Sequence, residues 1–136
     1  MLGSRDRPKA LKRVLVAEDQ ALIAMAIADE LTDAGLEVAG PFPTCAAVME
    51  WLHGDTPDFA ILDVGLRDGP CTDVAHELKR RHVGFAIFSG SRREEAPAIF
   101  SEAPWFEKPS DLKELIDSLS SARSNHTEST DRPAPS

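Results

Sequence analysis

The sequence predicts an α/β fold: a doubly wound, parallel, five-stranded sheet built from five strand–helix repeats. Three observations predict it. Val14-Leu15-Val16-Ala17, Phe59-Ala60-Ile61-Leu62 and Phe85-Ala86-Ile87-Phe88 are short, continuous apolar runs, as expected of strands buried on both faces. The stretches between them carry apolar residues at helical spacing. The two signals alternate along the chain, which calls for parallel strands joined by crossover helices.

Each element follows in order. Val14 to Ala17 is the first strand. The first helix carries Ile23, Ile27 and Leu31 on one face and stops at Gly35, a natural residue for a helix end. Leu36 to Gly40 reads as the second strand, closed by Pro41 and Pro43. Thr44 is placed to cap a second helix whose Cys45, Val48, Met49 and Leu52 share a face. Pro57 precedes the third strand, Phe59 to Leu62. Gly65 to Pro70 is a loop, with Arg67-Asp68-Gly69-Pro70 as a tight turn, and Cys71, Val74, Ala75 and Leu78 mark the third helix. Phe85 to Phe88 is the fourth strand. Between Ser91 and Ala103 the periodicity fades, and Pro97 suits a first turn better than a helix interior, so the fourth helix is expected to be short. Pro104-Trp105-Phe106 is a brief fifth strand. Ser110 is expected to cap a last helix with an apolar stripe of Leu112, Leu115, Ile116, Leu119 and Ala122. The expected organisation is a flexible basic leader over 1–12, one folded domain over 13–122 and a disordered polar tail over 123–136.

Composition narrows the function. At 136 residues and 42% apolar, the chain is long enough to bury both faces of a small sheet without a structural metal. It lacks a run of 18 apolar residues, and its basic start lacks the apolar centre of a signal peptide, so the expectation is a cytoplasmic protein without membrane insertion. Cys45 and Cys71 are far apart, each in an apolar helical pattern, and read as reduced, buried thiols. Net charge is −8, and residues 14–136 carry 10 cations against 22 acids. Such a body repels phosphate backbones, so nucleic-acid binding is not expected.

In folds of this kind ligands bind outside the carboxyl ends of the strands. The residues found there are Glu18-Asp19 after the first strand, Asp63 after the third, Ser89-Gly90 after the fourth and Glu107-Lys108-Pro109 after the fifth. Singly each has a simpler reading: Asp19 as a helix cap, Ser89 as a turn residue, Lys108 as a solvated lysine. Together they are coherent. Crowded carboxylates repel one another, and a Mg²⁺ ion held by hard oxygen ligands would relieve that repulsion. Asp63 can then attack phosphorus as a carboxylate nucleophile, while Lys108 and Ser89 contact phosphoryl oxygens and Gly90 leaves room.

These residues resemble the receiver domain of bacterial two-component response regulators. The carriers are Val14-Leu15-Val16-Ala17-Glu18-Asp19, Ile61-Leu62-Asp63-Val64-Gly65-Leu66, Phe88-Ser89-Gly90 and Glu107-Lys108-Pro109, within residues 13 to 122. The resemblance implies a flavodoxin-like fold with strand order 2-1-3-4-5. It implies Asp63 as phospho-acceptor and Mg²⁺ contacted by Asp19, Asp63 and the backbone carbonyl of Gly65, with Glu18 acting through water. Ser89 would be the switch hydroxyl, Lys108 the phosphate-binding lysine, and Lys108-Pro109 a cis bond. Trp105 stands where the family often has Tyr or Phe, and packing and a switch role are both open. Gly65 and Ser91 are small, which favours water access and moderate-to-fast self-dephosphorylation.

After the last helix only a polar stretch follows, so no output domain is expected. The implied partners are a histidine kinase or histidine phosphotransferase and an unidentified downstream protein. A homodimer through the face of helix four, strand five and helix five is a further expectation. The function expected is a receiver signalling by phosphorylation-dependent protein–protein contact or phosphorelay, catalysing only its own phosphorylation and dephosphorylation. The alternatives are a phosphate sink and a phosphorylation-independent scaffold. An aspartyl phosphohydrolase is disfavoured, because it would want a second Asp where Gly65 stands.

Overall fold

The computed structural model describes residues 11–128, with side chains described to residue 120. Five strands alternate with helices: β1 (Arg13–Ala17), α1 (Ala21–Asp33), β2 (Glu37–Phe42), α2 (Cys45–Leu52), β3 (Phe59–Leu62), α3 (Thr72–Arg80), β4 (Gly84–Ser89), β5 (Trp105–Glu107) and α4 (Leu112–Glu128). The strands form one parallel sheet in the order β2-β1-β3-β4-β5.

The apolar runs are continuous because alternate residues serve opposite faces. Leu15, Ala17, Ala60, Leu62, Phe85 and Ile87 pack with Val48 and Leu52 of α2 and Val74 and Leu78 of α3. Val14, Val16, Ile61, Ala86 and Phe88 pack with Ile27 and Leu31 of α1 and Leu115, Ile116 and Leu119 of α4. All of these side chains are buried.

Several boundaries differ from expectation for local reasons. β2 does not close at Gly40 but runs through a cis Gly40-Pro41 bond to Phe42, with a register shift against β1 between Leu15 and Ala17. An edge strand tolerates the proline because one side of it needs no donor. Gly40 has φ +105, and a Cβ there would lie 2.8 Å from the Phe42 nitrogen and 2.9 Å from the Val16 carbonyl oxygen, so the kink requires glycine. Thr44 caps α2 as expected, its hydroxyl accepting from the Ala47 N–H at 3.0 Å. Asp19 does not cap α1: Gln20 occupies that position without a side-chain cap. Ser110 precedes Asp111, whose carbonyl accepts the Leu115 N–H at 3.0 Å, and the helix begins at Leu112.

The expected short fourth helix is not an α-helix. Two 3₁₀ turns, Arg93–Glu95 and Ala98–Phe100, take its place, with Pro97 between them. Proline at that point prevents one ladder from running through both. α4 runs to Glu128, past residue 123, where the polar tail was expected to begin. The basic leader and the end of that tail fall largely on 1–10 and 129–136, outside the described residues.

The reading of Cys45 and Cys71 as reduced thiols is also corrected. They form a disulfide, their Cα atoms 5.2 Å apart. The loop after β3 folds back over the start of α2, where Asp68 accepts the backbone N–H groups of Cys45 and Ala46 at 2.8 and 3.1 Å. That return brings together two cysteines 26 residues apart.

Candidate functional site

The sheet register sets the site. Ala17 lies beside Leu62, Leu62 beside Ile87, and Ser89 beside Glu107, so the residues that follow each strand converge on the carboxyl edge. Backbone bonds fix their origins: the Glu18 N–H donates to the Phe42 carbonyl at 2.9 Å, Asp63 N–H to Ala17 at 3.2 Å, and Lys108 N–H to Ser89 at 3.0 Å. The Lys108-Pro109 bond is cis, as expected.

Lys108 reaches inward from β5. Its Nζ donates to Asp63 Oδ2 at 2.8 Å, Glu18 Oε2 at 3.0 Å and Gln20 Oε1 at 3.2 Å. The Gly65 N–H donates to Asp63 Oδ1 at 2.9 Å, and the Gln20 N–H to Glu18 Oε2 at 3.0 Å. Glu18 and Asp63 are each 3% exposed and Asp19 is half-buried. Ser89 is fully buried, its hydroxyl accepting the Ser91 N–H at 3.1 Å. A cleft of about 330 Å³ opens above them, lined by Asp19, Asp63, Gly65, Ser89, Gly90 and Lys108 among others.

The charges in this site are out of balance: three carboxylates face one ammonium. Burial pushes the Glu18 carboxyl above its ordinary value; the Gln20 N–H and Lys108 pull it back, and the Asp63 charge pushes the same way as burial. For Lys108, burial works downward, but the hydrogen bonds and charges of Asp63 and Glu18 outweigh it and hold the ammonium above its ordinary value. Glu18 Oε1 is buried and accepts no hydrogen bond, although Lys108 Nζ lies 3.0 Å away as an ion pair. One oxygen from each of Glu18, Asp19 and Asp63 falls within 4.8 Å of the others. A hard-oxygen cluster with surplus negative charge fits a divalent cation.

The structure thus brings Glu18, Asp19, Asp63, Gly65, Ser89 and Lys108 together. Trp105 does not line the cleft. Its half-buried ring lies under the Arg93 guanidinium, 5.7 Å from the ring centroid. Arg93 also donates to the Ser101 and Ala103 carbonyls at 2.6 and 3.1 Å, tying the segment before β5 to Trp105. Gln20 is a site residue that sequence reasoning missed. Its signal was its place directly after Asp19, and a neutral amide carries none of the charge that marked its neighbours.

No family model matches the chain. It is 30% identical to SdrG of Sphingomonas melonis Fr1, whose structure it matches with a TM-score of 0.71 over 85% of this chain and 98% of that one. A receiver domain protein (CheY-like) from Methanospirillum hungatei JF-1, 18% identical, agrees in fold, with a TM-score of 0.69 over 88% of this chain and 99% of that one. The chain belongs to the response-regulator receiver family. It is also 30% identical over 125 residues to the transcriptional regulatory protein PdtaR of Mycobacterium tuberculosis, covering 88% of this chain and 60% of the relative, so it spans 60% of that protein's length. As a receiver domain it is a module of phosphorylation-based signalling. No described helix is long and apolar enough to cross a membrane.

Proposed function

We propose that this receiver accepts a phosphoryl group on Asp63 from a histidine kinase or histidine phosphotransferase, in a Mg²⁺-dependent reaction. The observation that carries the reading is the contact of Lys108 with both Asp63 and Glu18 beside an acidic cleft lined by Asp19, Asp63 and Lys108. Asp19, Asp63 and the Gly65 carbonyl would hold the cation, with Glu18 acting through water. When bound, it would neutralise the surplus carboxylate charge and shield the incoming group.

The protein's own groups do the rest. Asp63 is anchored at one oxygen by the Gly65 N–H and at the other by Lys108, so its carboxylate is aimed before substrate arrives. Attack by a carboxylate oxygen gives an acyl phosphate. Lys108 is a compact point charge already at Asp63 that can pair with one transferred oxygen, and the Ser89 hydroxyl can donate to another. A Cβ at Gly90 would meet nothing within 4 Å, so space remains at the mouth.

Leu22 and Met25 on α1 are 81% and 60% exposed, and Ile23 of the same helix lines the cleft. Exposed apolar side chains beside a reactive cleft favour docking of the protein that delivers the phosphoryl group. Downstream, the surface of the 3₁₀ turns, β5 and α4 would pass the signal to a partner or a second copy, with Trp105 as the reporter. Location in the cytoplasm, with its kinase, completes the reading.

The test is incubation with acetyl phosphate and Mg²⁺ and a mass gain of one phosphoryl group. Asp63→Asn should abolish the gain, and labelling that persists in the substituted protein moves the acceptor elsewhere.

A further inference from the structure

The Cys45–Cys71 disulfide has no part in the reading above, yet it sits on the loop that leaves Asp63. Cys71 ends that loop in a left-handed conformation, φ 64, immediately before α3. Cys45 is the first residue of α2. The near end of the loop reaches the cleft, where the Gly65 N–H bonds to Asp63. Midway, the Gly69 N–H donates to the Leu66 carbonyl at 3.0 Å and closes a turn. One short connection therefore runs from the disulfide to the Asp63 carboxylate.

Opening the bond would remove one tie of this connection and leave another. Asp68 holds the start of α2 independently of the sulfurs. Cys45 Sγ lies 3.4 Å from the Gly69 carbonyl oxygen, so a reduced Cys45 thiol finds an acceptor with the backbone in place. The two sulfurs also differ in access. Cys71 is 4% exposed, whereas Cys45 is half-buried and can be approached from solvent.

We propose that Cys45–Cys71 is a thiol–disulfide exchange site that sets how firmly the loop after Asp63 is held, and through it the affinity of the acidic cleft for a divalent cation. The reductant is a dithiol. One of its thiolates attacks Cys45 Sγ, the S–S bond breaks, and Cys71 leaves as a thiolate that takes up a proton. The second thiol, as a thiolate, attacks the mixed disulfide and releases Cys45, which is protonated in turn. Two electrons pass to the protein, and the dithiol ends as a disulfide. The inference rests on the Gly65 carbonyl being a cation ligand, as proposed above. In the tied form that carbonyl's loop is already fixed, so less conformational entropy is lost when the cation binds. In a reducing compartment the bond is transient and reports redox state.

The decisive experiment uses the full, unsubstituted chain. Mg²⁺ is titrated calorimetrically into the oxidised protein and into protein reduced by a dithiol, with the thiols in each sample counted by alkylation and mass. The oxidised form should alkylate at no thiol and bind Mg²⁺ at least about fivefold more tightly than the reduced form. A double variant, Cys45→Ser with Cys71→Ser, should match the reduced form and ignore the dithiol. Equal affinity in the two forms, with alkylation verifying the redox change, overturns this proposal alone. Two alkylated thiols in air-oxidised protein do the same. Absence of Mg²⁺ binding in both forms overturns the cation reading and this proposal with it.

Discussion

The two ends of the sheet carry charged clefts of nearly equal volume, about 330 Å³ at the carboxyl edge and about 320 Å³ at the amino edge. Size does not tell them apart. At the amino edge Arg13 meets Asp55 at 2.6 Å and Glu37 at 3.6 Å, and Asp58 accepts the backbone N–H groups of Lys12 and Arg13 at 3.0 and 2.9 Å. Arg81 donates to the Leu52 and Asp55 carbonyls and the Thr56 hydroxyl at 2.8, 3.0 and 2.7 Å. The Thr56 N–H holds the Asp55 carboxyl below its ordinary value; burial opposes it, and Arg13 adds to the lowering. At the carboxyl edge burial pushes Glu18 the other way. Carboxylates solvated and matched with donors hold a surface together. Carboxylates buried in excess of their counter-charge mark a candidate binding site.

The largest break in this comparison should come from removing one cation at each end. In Mg²⁺-free buffer Lys108→Ala leaves Glu18 and Asp63 buried without their ammonium, and urea unfolding should lose about 3 kcal/mol. Added Mg²⁺ should restore part of it. Arg13→Ala strips an exposed pair and should shift the urea midpoint far less. Equal shifts would erase the distinction between the two ends.

Opposite pH signatures should follow next. Folded Glu18 binds its proton more tightly than in the unfolded chain, so stability falls as pH rises from about 4.5 through the folded value. Glu18→Gln should flatten that fall and, near neutral pH, stabilise the metal-free protein by about 1 kcal/mol, read as a higher Tm. Asp55 behaves inversely: its contribution is present above about 3.8 and disappears as pH drops through the lower folded value. Asp55→Asn should therefore weaken the protein at neutral pH and leave it unchanged in strong acid.

The smallest effect expected is in salt. Raising ionic strength from about 0.01 to 0.5 M should remove most of the Arg13→Ala penalty and little of the Lys108→Ala penalty, because exposed charges are screened and buried ones are not.

Legibility in the sequence divides along similar lines. The strands were legible because a strand buried on both faces has an unbroken apolar run, as Val14 to Ala17 and Phe85 to Phe88 do. Glu18, Asp19, Asp63, Ser89 and Lys108 were legible as a group because the fold rule says where strand ends meet. The disulfide was not, since it depends on how the loop from Gly65 to Pro70 folds back, and nothing in the spacing of Cys45 and Cys71 encodes that. The 3₁₀ turns escaped because such short turns leave too few residues for any periodicity. The kink at Gly40-Pro41 escaped because a proline reads as a strand end until its place on the edge is known.

Those 3₁₀ turns change the mechanics of the segment between β4 and β5. A helix in that place would be fastened along a stripe of side chains. This segment has one large side chain fully buried, Phe100, set edge-on to Phe85 with ring centroids 6.1 Å apart. Ala103 is buried beside it, and Ala96 and Ile99 pack against the same core. If Trp105 is the reporter, as proposed above, movement near Ser89 would reach it by way of Phe100, with the bonds from Arg93 to the Ser101 and Ala103 carbonyls limiting the shift.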